Sequence, residues 1–590
     1  MPVSVINEIS RRLEGTPLHG VVKKLAAPFY AGAKQAMPST QRRMEAMAGV
    51  NQPITGEYDA TLAAVCDNGV FVGERQGTVR VFKGIPYAQP PVGALRWKEP
   101  QPPPPSQQVR QAKYFGPSPL QTSWFSEVAS YYPQSEDCLM LNVWTSEANG
   151  SVKKPVMVFF HGGSYAWGGT SDPLYDGHAL VEKFDDVVLV TVGYRTGMMG
   201  FIDLSSLPGS EGYEASGNLG LLDQLEALRW VQRNIAAFGG DADNVTIFGE
   251  SAGGGSVSLL PLMKGARGLF RRVIAESGSV ALTYSREDCQ PLTEKLLQVT
   301  GAGTVQDLLD LNWDQLVRAN EKVNELGNFP MRDGNILPED LYAAYEAGEG
   351  SWAELLIGTN ADESRYWIRE AGGMTAYRAM MPVMFENNVA RLAERDKLAV
   401  EKFLAMQGGG LWAKQEFYDE LLFRLPAVRQ AAAHQARGGK TYMYYWTYPS
   451  SIGVMGACHA VELAYVFGNL NETIYTGDNV DPDLADTVQR MWVSFARTGD
   501  PSLPDLPWPQ YDAQHRRTML LGADVKVEEK PLEAQRKLLE PLTDYHFNGC
   551  YANLDYNVPA VRRQVKFLVG AVAVGAGVGL LLAHHRKKKA

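Results

Sequence analysis

Five consecutive residues, Gly249-Glu250-Ser251-Ala252-Gly253, place a serine between two glycines two positions away on either side. A serine hydroxyl becomes a useful nucleophile when a sharp turn exposes its Oγ and a base takes its proton. Such a turn leaves no room for side chains at the flanking positions, which accounts for Gly249 and Gly253. A second small-residue run, His161-Gly162-Gly163-Ser164, would let backbone N–H groups point into the same space. Gly162 and Gly163, with the amide of Ala252, then form a set of donors for a tetrahedral oxyanion. Losing one such donor typically costs about 100- to 1000-fold in rate.

Both runs follow apolar segments of strand character. "PVMVFFHGG" (155–163), "DVVLVTVGY" (186–194) and "NVTIFGESAGGG" (244–255) are strands ending in turns. Between the last two, "LGLLDQLEALRWVQRNIAAFGG" (219–240) has apolar residues at helical spacing and stops at Gly239-Gly240. Strand, helix, strand in this order predicts an α/β fold with a central, mostly parallel sheet flanked by helices. In such a fold the chemistry sits at the carboxyl ends of the strands. Ser251 after one strand and His161-Gly162-Gly163 after another satisfy that.

With these blocks in order, the chain resembles the type-B carboxylesterase/cholinesterase family of α/β-hydrolases over roughly residues 60–520. The similarity includes "FKGIPYAQPPVGALRW" (82–97), "SEDCLMLNVW" (135–144), "HGGSYAWGG" (161–169) and the stretch 217–254. It continues through "GLFRRVIAESGS" (268–279), "IGTNADES" (357–364), "GACHAVELAYVFGN" (456–469) and "FARTGDPS" (495–502). The resemblance implies the rest of a triad: Glu363 as the acid, with adjacent Asp362 as its rival, and His459 as the base. Their order, Ser251, Glu363, His459, is that of this fold. It implies a serine ester hydrolase that forms an acyl-serine on a small-molecule carboxylic ester, with no metal and no organic cofactor. The alternative is an esterase-fold subunit or interaction module whose triad is idle. Trp124, Tyr131 and Tyr132 lie where an aromatic wall would stand, but no residue matches a choline-binding tryptophan, so a quaternary-ammonium substrate is disfavoured.

Composition narrows the setting. With 590 residues, 45% of them hydrophobic, the chain is globular. The net charge is −10, yet residues 1–55 carry seven Lys/Arg against three Glu and residues 562–590 carry seven against none. An acidic body with basic ends excludes a nucleic-acid binder. The five cysteines are scattered, suit a reducing compartment and read as buried thiols; Cys138 and Cys289 lack obvious mates. Residues 1–55 form a basic extension without the apolar centre of a secretory signal.

The carboxylesterase-type domain is expected over 56–550 and a linker over 551–566. Residues 567–583, "FLVGAVAVGAGVGLLLA", are apolar and bracketed by basic residues, followed by a basic tail at 584–590. At 1.5 Å per residue this run is about 25 Å long, the lower limit for a bilayer span. A single C-terminal transmembrane helix and a lipid-bilayer partner are therefore expected. The N-terminal arm and the Gly575/Gly579 face would meet other membrane subunits. A mitochondrial membrane is favoured over the endoplasmic reticulum, and secretion is not expected.

Overall fold

A computed structural model describes residues 49–121, 132–147, 152–324, 327–371 and 373–545. The expectations for most of the N-terminal arm, for Trp124 and Tyr131, and for the linker, the apolar run 567–583 with Gly575 and Gly579, and the basic tail lie outside the described residues. Among the described residues, no helix is long and apolar enough to cross a membrane.

The chain divides into two compact units. The larger, residues 37–363 and 423–533, is built on an eleven-stranded sheet. In chain order its strands are β1 (Glu74–Gln76), β2 (Val79–Pro86), β3 (Met140–Ser146), β4 (Lys154–Phe160), β5 (Val188–Val192) and β6 (Gly240–Glu250). β7 (Arg272–Glu276), β8 (Glu354–Asn360), β9 (Thr441–Trp446), β10 (Arg517–Leu521) and β11 (Lys526–Glu529) complete it. The spatial order is β11-β10-β9-β8-β7-β6-β4-β5-β3-β2-β1. The strands from β10 to β5 in this order run parallel, while β11 at one edge and β3, β2 and β1 at the other pair antiparallel. The expected mostly parallel sheet is thus the centre of a mixed one.

Residue type explains this division. β5, Val-Leu-Val-Thr-Val, is buried at every position because helices cover both faces of a parallel centre. The edge strands are short and charged: β1 reads Glu-Arg-Gln and β11 Lys-Val-Glu-Glu, compositions that discourage further pairing. Helices α1 (Leu219–Asn234), α2 (Ala252–Leu259) and α3 (Leu425–Gln435) contribute to one large apolar cluster with Val156, Val158 and Phe160 of β4. The intervening Phe159 turns the other way, 4.9 Å from the rings of both Phe248 and Phe467. Helix α4 (Pro482–Thr498) packs against β4 and β6. The helix expected over 219–240 ends as α1 at Asn234, runs on as a 3₁₀ turn to Phe238, and closes at Gly239 with φ 83°. Gly240 already opens β6.

The smaller unit includes residues 364–422. Its helices Met374–Val389, Glu394–Met406 and Gly410–Tyr418 enclose Phe385, Phe403, Phe417 and Tyr418. Asp419, nearly fully buried, accepts hydrogen bonds from Ser364 N–H at 2.7 Å and Ser364 Oγ–H at 2.6 Å.

Candidate active site

The register of the central strands brings four chain reversals to one edge. Phe160, at the end of β4, pairs with Gly249 near the end of β6; Glu250 pairs with Glu276 at the end of β7, and Glu276 with Gly358 near the end of β8. His161-Gly162-Gly163, Ser251, Ser277 and Glu363 therefore leave the sheet side by side. Seven-stranded parallel pairing makes this unavoidable, since all these strands point the same way.

Ser251 occupies the turn between β6 and α2 with φ 59° and ψ −120°, a strained conformation for a residue with a side chain. Its amide donates to Glu276 O at 2.8 Å, and its carbonyl accepts the first helical bond, from Gly255 N–H at 2.8 Å. The glycines around it are steric requirements. A Cβ on Gly253 would lie 1.9 Å from Phe160 O, one on Gly249 2.6 Å from the carbonyl carbon of Gly253, and one on Gly278 2.3 Å from Ser251 O.

The His161-Gly162-Gly163 turn lies directly against the serine, for a Cβ on Gly162 would stand 3.1 Å from that of Ser251. It would also stand 2.8 Å from Glu250 Oε2, so Gly162 makes room for a carboxylate as well as exposing an amide. Gly163 has φ 111°, which favours glycine. His161 is buried, its Nδ1 2.8 Å from Gly162 O and its ring stacked on Tyr194 at 4.5 Å. Burial pushes it down to about 4, so it is a neutral, structural imidazole that stiffens the turn.

Glu363 and His459 meet as expected: Nδ1 of His459 lies 2.6 Å from Glu363 Oε2. The other carboxylate oxygen accepts from Asn360 N–H at 2.7 Å and Ser277 Oγ–H at 2.6 Å. Asp362 faces elsewhere, its Oδ2 accepting from Ala457 N–H at 2.9 Å. The Phe423 ring covers the imidazole at 4.9 Å. The distal nitrogen, Nε2, lies 3.0 Å from Glu250 Oε1, and among the described residues no hydrogen bond joins the Ser251 hydroxyl to His459.

Sequence reasoning passed over a group of buried carboxylates behind this pair. Glu250, Glu276 and Glu462 are each at most 3% exposed. Glu462 Oε2 accepts from Asn360 Nδ2 at 2.6 Å, and Glu276 Oε1 from Trp492 Nε1 at 2.5 Å. Burial raises all three carboxyls, Glu276 far above the usual range and Glu462 to about 8. His459 moves the opposite way to what burial alone would do. Desolvation opposes its charge, but Glu250 and then Glu363 outweigh that and raise it to about 10. The only signal in the sequence was that Glu250 is itself the second residue of the serine motif.

Tyr132, expected in an aromatic wall, is instead buried against Phe115, its hydroxyl donating to Phe115 O at 3.0 Å. A phenol spent on packing does not line a pocket. Cys66, Cys138, Cys289 and Cys458 are buried free thiols, as the scattered cysteines suggested.

Comparison with known proteins agrees with the geometry. Residues 65–539 match the model of the carboxylesterase family. The chain is 36% identical over 493 residues to the para-nitrobenzyl esterase of Bacillus subtilis (strain 168), covering 80% of this chain and 97% of that one. It is 33% identical over 516 residues to carboxylesterase 1E of Rattus norvegicus, covering 78% and 88%. Among solved structures it is similar to the Geobacillus stearothermophilus carboxylesterase EST55 at pH 6.2, with a TM-score of 0.72, 35% identity and coverage of 81% and 99%. That similarity gives the architecture its description as an α/β-hydrolase fold.

Proposed function

The chain belongs to the carboxylesterase family and is a carboxylic ester hydrolase, and from that premise we propose that it works through an acyl-serine on Ser251. The observation that carries this reading is the 2.6 Å contact between His459 Nδ1 and a Glu363 carboxylate that two further donors hold in place. His459 takes the Ser251 proton as Oγ attacks the ester carbonyl, then returns it to the departing alcohol. Glu363 fixes the tautomer with Nδ1–H donating, which frees Nε2 for the serine. The carbonyl oxygen gains negative charge as the tetrahedral carbon forms. The N–H groups of Gly162 and Gly163, which have no acceptor among the described residues, and the first helical amide, Ala252, receive it. Water repeats the sequence on the acyl-enzyme and releases the acid.

A fluorophosphonate followed by peptide mass spectrometry tests this directly, with p-nitrophenyl acetate hydrolysis measured beside it. Label on Ser251, and activity lost in Ser251→Ala, are the expected results. Label elsewhere, or undiminished hydrolysis in the variant, overturns the reading.

The apolar run 567–583 tethers the hydrolase to a lipid bilayer, its basic flanks staying at the two interfaces and the Gly575/Gly579 face available to another helix. Such a tether suits hydrophobic, lipid-like esters. The chain shortened to residue 566 should then move from the membrane fraction, resistant to alkaline carbonate, to the supernatant. Equal partition of the two forms would remove the tether from the proposal.

A further inference from the structure

In the mechanism above the amides of Gly162 and Gly163 receive the carbonyl oxygen. In a planar trans peptide the N–H points opposite to the C=O, so each amide is aimed by the carbonyl of the residue before it. We propose that Tyr194 and Gln121 are positioning residues for the oxyanion: Tyr194 anchors the peptide between His161 and Gly162, and Gln121 the peptide between Gly162 and Gly163, so that both N–H groups face the reacting carbonyl. This rests on the assignment of Ser251 and its amide donors given above.

The first peptide is held directly. Phe160 at the end of β4 pairs with Val192 at the end of β5, so the chain leaves both strands together and brings Tyr194 beside His161. The Tyr194 ring stacks on the imidazole at 4.5 Å, and its hydroxyl donates to His161 O at 2.7 Å. Tyr194 is fully buried, which makes a hydroxyl without that bond costly. With His161 O turned to Tyr194, Gly162 N–H is turned the other way.

The second peptide is held at one remove. Gly162 O lies 2.8 Å from His161 Nδ1, and Gly168 packs against the same carbonyl so closely that a Cβ there would stand 2.7 Å from it. Gln121, buried, grips Gly168 at both backbone groups: Gly168 N–H donates to Oε1 at 2.9 Å, and Nε2 donates to Gly168 O at 2.7 Å. The other Nε2 hydrogen goes to Pro119 O at 3.2 Å, so a carboxamide turned over would set N–H against N–H and oxygen against oxygen. The backbone N–H of Gln121 donates in turn to Gln134 Oε1 at 3.0 Å.

The turn between these anchors needs them. Gly163, Ser164 and Tyr165 follow one another with φ 111°, 52° and 56°, and two of the three carry side chains. Backbone of that kind persists only where its surroundings impose it. Released from its anchors, the turn relaxes and takes the amides with it.

The test compares wild type, Tyr194→Phe and Gln121→Met on p-nitrophenyl acetate and on its thiono analogue, in which sulfur replaces the carbonyl oxygen, with active sites counted by fluorophosphonate. Sulfur accepts hydrogen bonds poorly, so the thiono ester draws little from well-aimed amides. Loss of one oxyanion donor costs about 100- to 1000-fold, so a donor misdirected and not lost should lower kcat on the oxygen ester about 10- to 100-fold in either variant. KM should stay within about threefold, because the interaction is made only in the transition state. Turnover of the thiono ester should fall much less, so the oxygen-to-sulfur ratio contracts. Equal losses on the two esters, or a change in KM alone, would reduce both residues to packing and overturn the proposal. If Ser251 takes no label in the wild type, or the wild type turns over both esters equally, the assignment of serine and amides fails first, and the two failures are told apart. Should neither variant fold, residue-resolved hydrogen exchange of the wild type decides: a Gly168 N–H as protected as the amides of β4 supports the grip of Gln121, and exchange at the rate of an exposed loop refutes it.

Discussion

Glu363 and Asp362 are neighbours with the same chemistry, and only backbone direction separates them. Glu363 turns into the sheet edge towards His459, and Asp362 ties the loop ahead of that histidine through Ala457 N–H. In the proposed mechanism, replacing Glu363 by Gln keeps the shape but presents the wrong tautomer to the serine. Turnover should fall about 10³- to 10⁴-fold, by the measure of the same exchange in other triads. Asp362→Asn should stay within about tenfold of wild type, since it removes charge from a loop contact and not from the imidazole; steady-state kinetics on p-nitrophenyl acetate distinguishes them. The pH dependence has a definite sign. As the proposed base His459 works only when neutral, and Glu250 with Glu363 raises it above its ordinary 6.5 despite burial. Activity should therefore rise with pH, with the midpoint of the acidic limb in kcat/KM above 6.5; a plateau already reached at pH 6 would contradict this electrostatic picture.

At the scale of elements, the strand-turn-helix β6-Ser251-α2 is a close-packed unit whose glycines are not interchangeable. Gly249 and Gly254 have Cβ positions blocked by backbone at 2.6 and 2.5 Å, and Gly253 by Phe160 O at 1.9 Å. Gly253→Ala must therefore push α2 off the end of β4 or distort the serine turn. We expect a destabilisation of about 3 kcal/mol in urea unfolding, at the upper end for overpacking, together with loss of fluorophosphonate labelling. Normal stability and labelling would mean the turn has slack that its geometry does not show. The motif was readable in the sequence because this crowding restricts residue type. The carboxylates behind it were not, because nothing local distinguishes a buried glutamate from one on a solvated face.

Across the whole molecule, the parallel sheet is tied down by buried ion pairs far apart in sequence. Arg195 donates three hydrogen bonds to Asp223, from its backbone N–H to Oδ2 at 3.0 Å, Nε to Oδ2 at 2.8 Å and Nη2 to Oδ1 at 2.7 Å, with side chains 2% and 0% exposed. Arg195 also donates to Lys98 O at 2.9 Å, joining the segment after β5, the helix α1 and the segment after β2. Removing one partner leaves a charge in the core. Asp223→Ala should accordingly cost about 3–5 kcal/mol, measured by urea unfolding; a cost below about 1 kcal/mol would show that water reaches Arg195.

What the sequence by itself determined were the features that local sterics and periodicity impose. These are continuous apolar strands, the helix between them, glycines where a Cβ has no room, and the apolar run 567–583. The proposed acid and base followed from resemblance and not from spacing, since Glu363 and His459 lie 96 positions apart. Tertiary structure alone decided which of two adjacent carboxylates faces the imidazole, that Tyr132 is packing, and that three more glutamates share the interior with the histidine. Those outcomes depend on distance and burial between residues remote in the chain. Strand register sets them, and no single segment encodes it.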